Sequence, residues 1–354
     1  MCVMNARVAL IALLLSVVCA SGCDKGNAGG SSSASRELNV LAWSEYIPQE
    51  VLDGFAGENH VKINLDVVAS NEDMLAKLTS GATKYDVIQP SEYLVEELVK
   101  MNRLAPLDRA NVPNLDANIL PEFKDQSFDP GNKYTVPYMS GTVGIVYNAE
   151  KVKGPIDGFA DVFKPEHAGR IIVLKDNREI VTWAMICQKI PINEMTPQNL
   201  AKVKPMLAEW VKLIKKYDSD SPKTDLLQGT VDIGIVWNGE AALVISQDKR
   251  FKFVMPAEGS HRYIDNLAIP ADATNKGLAH AFLNHCLQPG VSKKISDVWP
   301  YTNPNGAARK LLSDDQRDNP ASYPEMKGFQ TFHDIGKQAA DVDKLMTELQ
   351  SSAG

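Results

Sequence analysis

The stretch Arg170-Ile-Ile-Val-Leu-Lys-Asp-Asn-Arg-Glu179 combines a strand pattern, two acids and the start of a helix pattern. Residues 171–174 form a short apolar run that predicts a buried strand, and the apolar spacing over 180–190 predicts a helix. Asp176 and Glu179 lie at the junction. In open α/β sheets, ligands bind at the carboxyl ends of the strands. The stretch therefore predicts an α/β fold with two acids at a ligand-binding edge.

Strand and helix patterns alternate on both sides of this stretch, which favours mainly parallel sheets flanked by helices. The helix predicted at 200–217 depends on the helical spacing of apolar residues from Val203 to Ile214. The body of the chain, from about 37 to 351, is long enough for two lobes and contains no long linker, so the chain is expected to cross between lobes more than once. The other predicted strands cover 38–43, 61–67, 85–88, 143–147, 231–237 and 266–270, and the other helices cover 48–55, 74–78, 93–101, 240–246 and 278–287.

The N-terminus is typical of an export signal. Arg7 provides a positive flank, and residues 8–18 form an apolar run too short to span a bilayer as a mature helix. Ala20-Ser-Gly-Cys23 resembles the lipobox of bacterial lipoproteins, which predicts a signal peptide at 1–22 and lipidation of Cys23. An ordinary signal peptide with a chance cysteine is the alternative. Residues 23–36 are rich in Gly, Ser and Ala and predict a flexible tether.

The net charge and the cysteines give weak information on the ligand and on disulfide bonds. The net charge of −7 disfavours a nucleic-acid partner and is compatible with a cationic ligand. Once the leader is set aside, Cys187 and Cys286 remain, each within an apolar helical pattern. They could form one disulfide, but free thiols are favoured because their spacing makes no framework.

Aromatic rings and acids recur together at several predicted strand ends. Indole and phenol rings attract cations through their negative faces, and carboxylates pair with ammonium groups. The joint pattern therefore predicts a cleft for a flexible organic cation. The stretches are Trp43-Ser-Glu-Tyr46, Pro90-Ser-Glu-Tyr93, Val236-Trp-Asn238 and Tyr263-Ile-Asp265.

Each of these features also has a purely structural interpretation. A single ring at a strand end is most often part of a core. Asp176 and Glu179 have the spacing of a variant capping box, in which the aspartate accepts an amide hydrogen bond at a helix N-terminus. A capped carboxylate is fixed in place, so capping and ligand binding are compatible.

Signatures of catalysis and of cofactor binding are missing from the sequence. It contains no His-Glu-x-x-His, Gly-x-Ser-x-Gly or phosphate-loop motif. Six histidines are scattered, which argues against a histidine-based metal site. We therefore expect a binding protein with no enzymatic activity, cofactor or metal.

Several motifs resemble the spermidine/putrescine-binding proteins of bacterial polyamine ABC transporters. The resemblance runs in order over about residues 38–349. It implies a two-lobed periplasmic binding fold of type II, with lobe 1 at 37–141 and 265–310, lobe 2 at 142–264 and 311–354, and hinge strands between them. The motifs are Trp43-Ser-Glu-Tyr-Ile-Pro48, Tyr85-Asp-Val-Ile-Gln-Pro-Ser-Glu-Tyr93, Val136-Pro-Tyr138, Ile235-Val-Trp-Asn-Gly239, Asp265-Asn-Leu-Ala-Ile-Pro270 and Asn303-Pro-Asn-Gly-Ala-Ala-Arg-Lys-Leu-Leu312.

The resemblance also implies a set of ligand-binding residues. Tyr263 departs from the tryptophan that spermidine binders carry at this position, and Gln330 is near the family's late ligand-contacting glutamine without a clear register. Both departures bear on ligand length rather than on ligand class. The implied residues are Trp43, Ser44, Glu45, Tyr46, Ser91, Tyr93, Asp176, Glu179, Trp237, Tyr263, Asp265 and Tyr301.

The implied function is capture of a polyamine (spermidine or putrescine) for an inner-membrane ABC permease. The protein is expected to be a periplasmic monomer, held to the inner membrane only through lipid on Cys23, or soluble there if Cys23 is not lipidated. One alternative is a polyamine sensor that reports to a membrane receptor. Another is a different ligand, such as a ferric ion or an amino acid, whose carboxylate would need an arginine. Arg178 is the arginine found within the motifs, and it could simply lie on the surface.

Overall fold

The computed structural model describes residues 36–326 and 328–353. The predicted signal peptide and Cys23 lie outside these residues. In the part of the chain that is described, no helix is both long and apolar enough to span a bilayer. The strands are β1 Arg36–Trp43, β2 Val61–Val68, β3 Val87–Ile88, β4 Thr135–Gly141, β5 Val143–Asn148, β6 Ile171–Val173, β7 Ile214–Tyr217, β8 Ile233–Trp237, β9 Phe251–Val254 and β10 Tyr263–Ala268.

The helices lie between and after these strands, as the alternating pattern predicts. Ser70 caps α2, since its hydroxyl accepts a hydrogen bond from the backbone N–H of Asp73 at 3.0 Å. The helices are α1 Gln49–Asn59, α2 Asn71–Ser80, α3 Glu92–Lys100, α4 Pro113–Asn118, α5 Phe159–Val162, α6 Asn177–Cys187, α7 Pro197–Trp210, α8 Pro222–Gln228, α9 Asn238–Gln247, α10 Lys276–Cys286, α11 Pro289–Val298, α12 Gly306–Arg309, α13 Asp314–Arg317 and α14 Gln338–Ala353.

Two five-stranded sheets form the framework. The first has the order β2-β1-β3-β10-β4, with β1 parallel to β2 and β3 and with β10 antiparallel to both its neighbours. The second has the order β7-β6-β8-β5-β9, with β6 parallel to β7 and β8 and with β5 antiparallel to both its neighbours. Each sheet is therefore mixed, with four strands running in one direction and one strand reversed. Two such sheets flanked by helices confirm the predicted fold class, although only half of the strand pairings are parallel.

Each sheet has its own hydrophobic core. Around the second sheet, Trp183 is fully buried and stacks on Phe159 with ring centroids 5.6 Å apart. The C-terminal helix α14 belongs to the same core, into which it buries Val342 and Met346. On this basis we propose that lobe 1 covers 37–141 and 265–310 and that lobe 2 covers 142–264 and 311–354. Lobe 1 contains β1–β4 and β10, and lobe 2 contains β5–β9. The strand β10 begins two residues before the boundary at 265.

The chain passes between the sheets at adjacent points. β4 ends at Gly141 in the first sheet, and β5 begins at Val143 in the second. The return crossing runs from β9 to β10, and the two crossings are hydrogen-bonded to each other. The Ser140 hydroxyl donates to the backbone oxygen of Tyr263 at 2.6 Å. These contacts place the start of β10 beside the hinge.

The predicted helix at 200–217 is wrong over residues 211–217, about two turns. The helix α7 ends at Trp210, and residues Ile214–Tyr217 form the edge strand β7, which pairs with β6. Trp210 packs on the Phe163 ring at 4.1 Å. The helical spacing of apolar residues continues by chance to Ile214. The backbone of residues 214–217 is extended because these residues pair with the edge of β6, which is distant in sequence, and this pairing overrides the local preference.

Candidate ligand-binding site between the two sheets

Asp265 lies at the centre of the candidate site. It is 5 % exposed, and its two oxygens accept hydrogen bonds from the Ser91 hydroxyl at 2.6 Å and from the Tyr46 hydroxyl at 2.9 Å. Tyr46 follows β1 and Ser91 follows β3, so residues from two strand ends meet on this carboxylate. Burial raises the pKa of Asp265 to about 6, against the opposing effect of the two hydrogen bonds.

Ser91 occupies the N-cap position of α3 but does not cap that helix. Its side chain makes no hydrogen bond to the backbone N–H groups of the first turn. The hydroxyl is directed to Asp265 instead. An N-cap serine normally contributes about 1 kcal/mol to helix stability, so this orientation gives up a local contribution in favour of the carboxylate.

Aromatic rings surround Asp265. Tyr301 meets the Tyr46 ring edge to face at 5.5 Å, and Trp237 meets Tyr263 in the same way at 5.3 Å. The Tyr138 hydroxyl donates to the backbone oxygen of Tyr46 at 3.0 Å. Trp237 ends β8 of the second sheet, whereas Tyr46 follows β1 of the first, so the ring cluster joins both sheets.

Two glycines make room for these rings. A Cβ atom at Gly141 would overlap the Tyr263 hydroxyl, and one at Gly239 would overlap the Tyr301 ring. The Tyr263 hydroxyl donates to Asn238 Oδ1 at 3.3 Å. The close approach of backbone and ring thus fixes the positions of Tyr263 and Tyr301.

Asp176 and Glu179 occupy the N-terminus of α6 but differ in environment. Asp176 caps the helix, since its Oδ1 accepts a hydrogen bond from the Glu179 backbone N–H at 3.1 Å, and it is half-buried. Burial raises its pKa, while that backbone hydrogen bond and Arg178 oppose the rise. Glu179 is 1 % exposed, and its Oε1 lies 3.1 Å from Nε2 of His261.

Arg178 does not lie on the surface, as one interpretation of the sequence allowed. Its guanidinium carbon is 4.0 Å from the Phe332 ring centroid and 5.0 Å from that of Tyr93. Its Nη2 donates to the backbone oxygen of His333 at 2.7 Å and to Asn193 Oδ1 at 3.1 Å. Arg178 therefore ties the segment after Phe329 to α6 and lies beside both acids.

The remaining predicted residues are placed less centrally. Ser44 and Glu45 are exposed, and Ser44 lines a cavity of about 440 Å³ that also contacts Asp220 of the other sheet's loops. Trp43 is half-buried against the core of the first sheet. The side chain of Gln330 is exposed, so the structure gives it no position in the ring cluster.

Two buried residues near the site were missed. Glu92 is fully buried, accepts a hydrogen bond from the Ile264 backbone N–H at 3.0 Å and has a pKa that burial raises to about 8. His261 is also buried, and it precedes Tyr263 and Asp265 by two and four residues. The period of two along a strand was the signal that could have identified it.

A family model described as "Bacterial extracellular solute-binding protein" matches residues 50–327. The "Spermidine/putrescine-binding periplasmic protein 1" of Haemophilus influenzae is 32% identical over 334 residues, which cover 92% of each chain. The "Spermidine/putrescine-binding periplasmic protein" of Salmonella typhimurium is 30% identical and covers 92% of this chain and 95% of its own length.

Solved structures agree with the sequence comparisons. The spermidine/putrescine ABC transporter substrate-binding protein PotD from Streptococcus pneumoniae superposes with a TM-score of 0.78 at 30% identity, over 90% of this chain and all of that one. The resemblance seen in the sequence and the two-lobed fold are therefore confirmed, and these homologues are solute-binding proteins rather than enzymes. This chain belongs to the family of bacterial extracellular solute-binding proteins.

Proposed function

We propose that this protein captures a polyamine between its two sheets and delivers it to an ABC permease. The observation that carries the proposal is Asp265, a buried carboxylate held by two hydroxyl groups and surrounded by tyrosine and tryptophan rings. None of the described Lys and Arg side chains stabilises its charge. Burying an unpaired carboxylate is unfavourable, so a cation supplied by the ligand accounts for the arrangement.

The surrounding groups fit an alkyl chain with an ammonium group at each end. One ammonium would pair with Asp265. The methylene chain would lie along Trp237, Tyr263 and Tyr301, each ring contributing on the order of 0.5–2 kcal/mol to an adjacent cation. Asp176, half-buried beside Tyr93, is the acid proposed for the other end.

Ligand binding and closure are coupled in this proposal. Asp265 and Tyr46 belong to the first sheet, and Trp237 and Asp176 to the second. A ligand that contacts both sets binds the closed form better than the open one and thereby shifts the population toward closure. The closed form would be the one that the permease recognises.

The names of the relatives support the ligand class and the transport context. The Haemophilus influenzae and Salmonella typhimurium proteins are both named for spermidine and putrescine and for the periplasm. We propose that this chain is periplasmic too, and that it is a monomer anchored to the inner membrane through lipid on Cys23.

Titration calorimetry of the purified protein tests the function. We expect heat of binding with putrescine, spermidine or spermine at tens of micromolar protein, and none with glutamate or maltose at the same concentration. Heat absent for all three polyamines would reject the proposal. Binding of glutamate alone would assign the site to amino acids instead.

A further inference from the structure

Residues 331–335, which we call the strap, are attached to lobe 2. The side chain of Asn193 donates to the backbone oxygen of Thr331 and accepts from the backbone N–H of His333, both at 3.0 Å. Arg178 of α6 donates to the backbone oxygen of His333 at 2.7 Å. The helix α14 of the same lobe begins three residues after the strap. The strap is therefore held in place by lobe 2.

The strap faces α3, a helix of lobe 1. Glu96 of α3 uses both carboxylate oxygens in this contact. Its Oε1 lies 2.6 Å from Nδ1 of His333, and its Oε2 accepts from the backbone N–H of Asp334 at 3.0 Å. A carboxylate only accepts, so Nδ1 carries the hydrogen. Lys100, four residues further along α3, has its Nζ 2.9 Å from Asp334 Oδ2.

The two contacts between α3 and the strap are unequal. The side chain of Glu96 is 16 % exposed, whereas that of Lys100 is 61 % exposed. Asp334 raises the pKa of the Lys100 ammonium by hydrogen bonding, as expected of an ion pair. An exposed ion pair is screened by water and contributes little, while a mostly buried carboxylate that loses its donors is left unsatisfied. Glu96 is therefore the principal residue of the contact.

The strap also borders the candidate ligand-binding site. Phe332 is 4 % exposed, and its ring stacks on the His261 imidazole at 4.1 Å. On the side of lobe 1 it meets the Tyr93 ring at 6.4 Å. The Arg178 guanidinium contacts both rings, at 4.0 Å from the centroid of Phe332 and 5.0 Å from that of Tyr93. A movement of the strap away from α3 therefore separates one wall of the site from the other.

We propose that Glu96 and the strap form a latch between the lobes, which favours the closed form before a ligand binds and slows ligand release. Hydrogen bonds of this kind are lost once the partner atoms are more than about 3.5 Å apart, so the latch exists only in the closed form. A contact made in one form alone shifts the population toward that form. The latch touches no ligand group, so it strengthens the binding of every ligand that requires closure by the same factor.

Small-angle X-ray scattering of the ligand-free protein tests the latch independently of the ligand. We expect Glu96→Ala to have a larger radius of gyration than the wild type, because its lobes open more often. Glu97→Ala is the matched control, since Glu97 is the next residue of α3 and takes no part in the latch contacts. It should scatter as the wild type does. Equal radii of gyration for Glu96→Ala and the wild type would overturn the latch.

Calorimetry with putrescine and with spermidine gives a second test. Glu96→Ala should bind both amines about tenfold more weakly than the wild type, the loss for one hydrogen bond to a charged group, and the ratio of the two affinities should stay the same. Lys100→Ala should weaken binding by less than about fivefold, because its ion pair is exposed. A loss confined to one amine would mean that Glu96 contacts the ligand, which overturns the latch.

His333→Ala removes the other side of the same contact and serves if Glu96→Ala fails to fold, as judged by its thermal transition. It should also enlarge the ligand-free protein. The double variant of Glu96 and His333 should bind no more weakly than Glu96→Ala alone, because both changes remove one contact. Additive losses would overturn the latch. If neither amine produces heat with the wild type, the proposed function fails, and the radius of gyration still decides the latch.

Discussion

Thr142 donates its hydroxyl hydrogen to the backbone oxygen of His261 at 2.6 Å. Thr142 lies at the first crossing between the sheets and His261 at the second, so this bond fastens the two hinge segments to each other. Both residues are buried. The same hydrogen bond fixes the position of the His261 backbone, from which the imidazole extends toward Glu179.

Thr142→Val should lower the free energy of unfolding by roughly 1–3 kcal/mol, because it leaves the His261 carbonyl buried without a partner. Urea denaturation measures the change. Thr142→Ser is the matched control, since it keeps the hydroxyl and should be destabilised less. Equal stability of the Val variant and the wild type would mean that the bond contributes nothing to the hinge.

Asp265→Asn should weaken polyamine binding by about 1.5–3 kcal/mol, the range for a hydrogen bond to a charged group. The amide keeps the shape of the side chain and removes its charge. Asp272→Asn, an exposed position in the loop after β10, is the control and should bind as the wild type does. Calorimetry measures both variants, and an unchanged affinity of Asp265→Asn would remove this residue from the site.

Gly239→Ala should destabilise the protein by about 1–3 kcal/mol, since the new methyl group overlaps the buried Tyr301 ring. The displaced ring should also weaken polyamine binding. Gly277→Ala in α10 is the same substitution in open space and should stabilise the protein by about 0.5–1 kcal/mol. Thermal unfolding should show a lower melting temperature for Gly239→Ala and a higher one for Gly277→Ala. An unchanged stability of Gly239→Ala would contradict the close contact between this glycine and the Tyr301 ring.

Most of the framework could be predicted from the sequence because it depends on local patterns. The strand at 171–174 and the helix after Asp176 follow from apolar runs and a capping aspartate, and both are present. The edge strand at Ile214–Tyr217 could not be predicted, since it pairs with residues of β6 that are more than forty positions earlier in the chain. Local periodicity contains no information on such a partner.

The site was predictable in part for the same reason. Asp265 and Tyr263 stand out as an acid and a ring at a strand pattern, and the structure places them together with Tyr46 and Trp237. The orientation of Glu179 toward His261 depends on how α6 packs against the start of β10. Spacing within α6 leaves that orientation open, so Asp176 and Glu179 were predicted to act alike.

Polyamine affinity should rise with pH through about 6. The pKa of Asp265 is raised from 3.8 to about 6 in the ligand-free protein, and the ammonium binds the ionised carboxylate. Below pH 6 the affinity should fall by up to about tenfold per pH unit, because ligand binding must displace a proton. The raised pKa of Asp176 acts in the same direction.

Calorimetry at pH 5, 6 and 7.5 checks this dependence. Asp265→Asn should retain weaker binding without the step near pH 6. A wild-type affinity that is constant from pH 5 to 7.5 would contradict the prediction, since the carboxylate would then be ionised throughout.

Glu92→Gln should increase the stability of the ligand-free protein relative to the wild type as the pH rises from about 4.5 to 8. Burial raises the pKa of Glu92 from 4.5 to about 8, so in this interval the folded protein holds a proton that the unfolded chain has released. Wild-type stability therefore falls with rising pH and levels off above 8, where both states are ionised. Glutamine is neutral throughout and keeps an oxygen that can accept the Ile264 N–H. Urea denaturation at pH 5 and pH 8 measures the difference in the free energy of unfolding between Glu92→Gln and the wild type.

Glu166→Gln, at an exposed position, is the control for this prediction. If the difference between Glu92→Gln and the wild type does not grow with pH, the carboxyl of Glu92 is ionised in the folded protein at neutral pH. The Arg178 guanidinium would then be its counter-charge.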